Sequence, residues 1–214
     1  MRYLDPASRS GEILFGLIMV LTATLTAGLT VAEGKAGVRQ LLFSAIGCNI
    51  AWGIIDGIMY IMNCLIERGA NLRLILTIQQ APNSPEALEI VRAKVDAEFE
   101  ALSATEDREA LCQAVLKHAL HARPRPVRIH KDDLYGAIAC FWLVFFSCLP
   151  AAVPFLLFSN PTLALRVSNG LLIAMLFFVG QKWAQYAHTS RAAAGLVMVA
   201  MGLALVGVAI LLGG

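Results

Sequence analysis

Apolar residues dominate this chain in five long runs, broken by short polar links and by one long polar stretch. A helix rises 1.5 Å per residue, so about 20 mostly apolar residues cross ~30 Å of hydrocarbon. Residues 13–32, 41–66, 134–158, 163–183 and 192–212 meet that requirement. The second run is long enough to tilt or protrude. The first exceeds the ~7–15-residue apolar core of a signal peptide, and Asp5 and Glu12 spoil the basic flank, so it reads as a retained helix.

The polar stretch has a helical pattern of its own. In "NSPEALE", Ser84 is the expected N-cap, Pro85 suits the first helical position and Glu86 suits the positive helix end. Leu88, Val91, Val95, Phe99 and Leu102 then recur every three or four residues, the spacing of one buried helix face. A second helix is predicted over 105–121, with Leu111, Val115 and Leu116 as its apolar face, and the prolines of "ARPRPVRIHKDD" end it. So small a segment is expected to bury these faces against a partner subunit or the membrane helices. The pattern predicts an all-α membrane protein: five transmembrane helices with a cytoplasmic helical insertion between helices 2 and 3. Residues 1–66 carry helices 1 and 2, 67–133 the acidic insertion, and 134–214 helices 3 to 5.

Composition supports this division. Hydrophobic residues make up 58% of the 214 and charged ones 15%, against about 25% charged in a soluble domain. Residues 67–133 hold ten Lys/Arg and eleven Asp/Glu, the other 147 residues seven and four. With the N-terminus in the cytoplasm, fourteen basic residues lie inside and only Lys35, Arg39 and Arg166 outside. The expected orientation is therefore a cytoplasmic N-terminus and insertion, with the C-terminus on the opposite side. A net charge of +2 gives no reason to expect a nucleic-acid partner. The five cysteines form no CxxC and read as small apolar packers.

The exceptions inside the spans carry the candidate chemistry. Asn49, Gly53, Asp56, Met59 or Tyr60, and Asn63 step by three and four along one side of the second span. A central Asp costs roughly 2.5–3.5 kcal/mol to insert, so such residues face a bundle interior or a wet cavity. Gly53 and Gly57 form a GxxxG pair that admits another helix. The first span has a matching stripe of Glu12, Gly16, Met19, Thr22 or Ala23, and Thr26. Carboxylate, thioether and hydroxyl groups together suit a borderline divalent ion such as Fe²⁺; a hydrogen-bond network between helices explains the same stripes. Glu86 with Glu89, and Asp96 with Glu100, share helix faces and offer oxygen ligands for a divalent cation, or form a solvated face balanced by Arg92 and Lys94. Pro150 and Pro154 free backbone carbonyls in the third span and mark a kink or gate.

The segments "GEILFGLIMVLTATLTAG", "IDGIMYIMNCLIERG", "FWLVFFSCLPAAVPFLL" and "LIAMLFFVGQKWAQY…AGLVMVAMGLALVGVAILLGG", in this order and around an acidic insertion, resemble the vacuolar iron transporter family over nearly the whole chain. The resemblance implies a homodimer with a metal path at the subunit interface, lined by the first and second helices. It implies proton exchange for Fe²⁺, and an insertion that gathers the ion through glutamates and methionines. Met19 stands where the family carries an aspartate, and no methionine occurs between Glu67 and Asp133.

The expectation is a proton-coupled exporter of Fe²⁺ or Mn²⁺ from the cytoplasm, without an organic cofactor. Asp56 would be the central ligand, with Glu12, Met19, Thr22, Asn49, Met59, Tyr60 and Asn63 along the path. Glu86, Glu89, Asp96 and Glu100 would collect metal. The alternative is a non-transporting scaffold or metal sensor of the same fold. An enzyme is not expected: an aspartyl intramembrane protease needs two mid-span carboxylates and only Asp56 lies mid-span, while all four His lie outside the spans or at their edges.

Overall fold

The computed structural model describes residues 4, 6–26, 35–81, 83–99 and 105–211. Among these residues the protein is all-helical: α1 (Pro6–Thr26), α2 (Lys35–Gln80), α3 (Ser84–Phe99), α4 (Thr105–His121), α5 (Lys131–Leu157), α6 (Pro161–Ala184) and α7 (Arg191–Leu211). Five of them, α1, α2, α5, α6 and α7, are long and apolar enough to cross a membrane. This is the make-up of a multi-pass membrane protein. The chain divides into two compact units, Met1–Ile61 with Lys131–Gly214, and Met62–His130.

In the first unit α1 lies at the centre. Leu17, Val20 and Leu21 of α1 pack with Cys148 and Ala151 of α5, Leu172 and Leu176 of α6, and Val206 of α7. The outer surface carries large apolar side chains, among them Ile54, Phe146, Leu156, Phe178 and Val197. A water-soluble monomer rarely exposes so much contiguous apolar surface, whereas lipid solvates it. Short links make α6 an antiparallel neighbour of both α5 and α7. Asn160 caps α6, accepting from the Thr162 and Leu163 amides at 3.0 and 3.2 Å, and Pro161 occupies the first turn. Gly180 brings α6 against α7: a Cβ there would lie 2.7 Å from the Ala194 carbonyl oxygen.

Both prolines lie within an unbroken α5. Ser168 of α6 donates to the Ala151 carbonyl at 2.8 Å, in the turn between them.

The second unit is built from the end of α2, α3 and α4. Ile78, Ala87, Val91, Val95, Cys112, Leu116 and Ala119 form its core. The helix faces predicted here are thus buried against each other and against the end of α2. Three details differ from the sequence reading. The α2 helix continues to Gln80, past the charged pair Glu67–Arg68, because no proline follows until Pro82. Asn83, not Ser84, caps α3: its side chain accepts from the Glu86 amide at 2.9 Å. Leu111 is exposed, and Cys112 takes the buried position on α4. Leu102 lies outside the described residues, as does part of the predicted first span, 27–32.

Candidate intramembrane carboxyl site

Small residues set the site's frame. The Gly53–Gly57 face of α2 lies against the backbone of α5: a Cβ on Gly53 would be 3.1 Å from the Phe141 carbonyl oxygen, and one on Gly57 would be 3.0 Å from that of Ala137. The helix admitted by the GxxxG pair is therefore α5 of the same chain. On α1, Gly16 lies under the Ser147 side chain of α5, where a Cβ would overlap it. The Phe15 and Trp52 rings meet edge to face, with centroids 5.1 Å apart, and tie α1 to α2. The pairings fix the directions: α2 runs antiparallel to both α1 and α5.

This register stacks polar groups in layers. In one layer Glu12 of α1 and Asp56 of α2 are in hydrogen-bonding contact, and the Cys140 thiol of α5 donates to Glu12. A hydrogen bond between two carboxyl groups requires a proton between them. Asp56 Oδ2 is buried and has no partner. In the next layer Asn49 is fully buried. Its side-chain nitrogen donates to the carbonyls of Gly16 and Val144 at 3.5 and 3.1 Å, and its Oδ1 has no partner. An unpaired buried acceptor costs about 1–3 kcal/mol, so both oxygens are places where a cation or water would be bound favourably, and Asp56 Oδ2 also a place for a proton. Asn49 and Asp56 are two helical turns apart, roughly 10 Å, too far to share one ion.

The other residues expected on the path are more scattered. Met19 is half-buried on α1, two turns from Glu12. Thr22 donates its hydroxyl back to Ile18 of its own helix at 2.9 Å. Tyr60 points inward over Gly136, and Met59 lies outward and exposed. Asn63 belongs to the second unit. Cys140 was not among the expected residues. A lone Cys in an apolar run looks like a packing residue, and only the register of α5 against α1 brings it to Glu12.

In the second unit, Asp96 pairs with Arg108 at 2.9 Å and Glu109 with Arg92 at 2.7 Å. The Arg92 guanidinium holds the Glu109 carboxyl below its ordinary range. Burial pushes the Cys112 thiol above its ordinary value. Glu86 and Glu89 are exposed, and Glu100 lies outside the described residues. Among the described residues, no group of three or more His, Cys, Asp or Glu is arranged to hold a metal ion.

Against known proteins, no family model matches the chain and no curated protein matches it.

Proposed function

We propose that this membrane protein exchanges protons for a divalent cation, Fe²⁺ or Mn²⁺, at the Glu12–Asp56 pair. One observation carries the reading: two carboxyl groups from different helices meet within membrane-crossing segments. Two carboxylates carry two negative charges. Two protons or one divalent cation neutralise them equally, so the pair can swap one for the other without leaving net charge in the bilayer. The Cys140 thiol beside Glu12 adds sulfur to an oxygen site and favours Fe²⁺ over Ca²⁺ or Mg²⁺.

The order of the spans and the resemblance to vacuolar iron transporters favour a homodimer. In it a second copy would complete a ligand set that the described residues of one chain do not close. The basic residues favour an N-terminus and an α3–α4 region on the cytoplasmic side, and a cation-attracting face on that side favours export from the cytoplasm. Exposed Glu86 and Glu89 would attract cations there; Asp96 is already held by Arg108. The test is Mn²⁺ and Fe²⁺ flux into proteoliposomes under an imposed pH gradient. Wild type should transport, and Asp56→Asn should fall at least tenfold. An Asp56→Asn variant as fast as wild type overturns the assignment.

A non-transporting scaffold or sensor is the second reading, favoured by the absence of a three-ligand group among the described residues. It predicts saturable metal binding, or none, with no net flux.

A further inference from the structure

We propose that the link from α4 to α5 forms, together with Arg68, a binding site for a phosphate group, carried by an anionic lipid headgroup or by a soluble phosphate compound. A concavity of about 430 Å³ in the second unit is lined by Arg68, Arg125, Pro126, Val127, Arg128 and His130. Three arginines and a histidine line it, and no acidic residue is among the described residues that do. The volume is within the range of small-ligand sites.

The sequence explains why the site takes this form. Pro124 and Pro126 prevent residues 122–130 from continuing α4, and the segment has no regular structure. Arg68 of α2 donates to the Arg128 carbonyl at 3.2 Å and pins the segment to the helix. Arg125 and Arg128 stay exposed beside the concavity. A guanidinium offers a planar fork of donors that matches two phosphate oxygens at once.

Connectivity favours the lipid source. The chain enters the membrane-crossing helix α5 immediately after His130. From Arg123 to Lys131 it carries Arg123, Arg125, Arg128 and Lys131 and no acid; Asp132 is the first, and Glu67 adjoins Arg68 in sequence. Basic clusters next to a span are where anionic headgroups are held. The proposal does not depend on the metal-exchange reading and uses none of its residues.

The experiment titrates the full-length protein in detergent with short-chain phosphatidylglycerol, short-chain phosphatidylcholine and inorganic phosphate, following binding by calorimetry. Wild type should bind phosphatidylglycerol more tightly than phosphatidylcholine. The double variant Arg125→Gln, Arg128→Gln should bind it at least tenfold more weakly, at about fivefold per arginine. Lys117→Gln, an exposed charge removed elsewhere in the same unit, should leave affinity unchanged. Inorganic phosphate that binds as tightly as phosphatidylglycerol, with the same dependence on the two arginines, supports the site and makes its ligand a soluble phosphate. Equal affinity for phosphatidylcholine, or a double variant within twofold of wild type, overturns the site. Arg125→Gln alone, in an exposed link, gives the same comparison if the double variant does not fold.

Discussion

Asn49 on α2 donates its side-chain amide to the Val144 carbonyl of α5, 3.1 Å away, and both residues are fully buried. The same nitrogen reaches the Gly16 carbonyl of α1 at 3.5 Å, so one side chain joins three helices. Replacing it with alanine removes these bonds and leaves a small void. Asn49→Ala should destabilise the first unit by about 1–3 kcal/mol. Asn49→Asp should be at least as costly, since an ionised carboxylate has no donor to offer the two carbonyls. Thermal unfolding in detergent measures both.

Close helix contacts make glycines unequal. At Gly180 a Cβ would lie 2.7 Å from the Ala194 carbonyl oxygen and 2.8 Å from Gly195 Cα, so α7 must move to admit it. Gly180→Ala should destabilise by about 1–3 kcal/mol. At Gly170, on the same helix, nothing lies within 4 Å of the added atom. Gly170→Ala should be neutral or stabilise by up to about 1 kcal/mol, through the better helix propensity of alanine. Melting the two variants side by side checks the contrast.

These contacts also mark how far the sequence could be read. Five membrane-length helices follow from hydropathy alone, and the polar stripes on the first two follow from periodicity. Glu12 and Asp56 could each be named, but not their meeting, because nothing in either stripe fixes the register between α1 and α2. Cys140 was hidden for the same reason. The extension of α2 to Gln80 was missed because hydropathy falls at Glu67 while the helix pattern does not. Asn83 rather than Ser84 serves as cap, accepting from the Glu86 amide three residues on.

Acid should weaken the second unit through the Arg92–Glu109 pair. The guanidinium lowers the Glu109 pKa from its ordinary 4.5 in the folded state. The pair's contribution is therefore fully present above about pH 4.5 and is lost as pH falls through the lower folded value. Both side chains are 45% exposed, so the effect is small and salt-sensitive. A pH titration of Glu109 followed by NMR should show the depressed midpoint, and Arg92→Gln should return it toward the ordinary value.

Ser168 ties α6 to α5 through a single side-chain bond. Its hydroxyl meets the Ala151 carbonyl at 2.8 Å, close to Pro154. Ser168→Ala should cost about 0.5–1.5 kcal/mol, near the range for hydrogen bonds between membrane helices. The loss should be unchanged in a Pro154→Ala background, because the amide restored at 154 pairs with the Pro150 carbonyl and not with that of Ala151. A double-mutant cycle in detergent measures the coupling.

The central claim is that Glu12 and Asp56 act as one exchange site. Counting protons moved per Mn²⁺ transported in proteoliposomes tests it most directly. Wild type should move two protons for each Mn²⁺, independent of membrane potential, and Glu12→Gln should move fewer protons per ion or none of the metal. Metal flux without proton movement, or an unchanged ratio and rate in Glu12→Gln, would contradict the account.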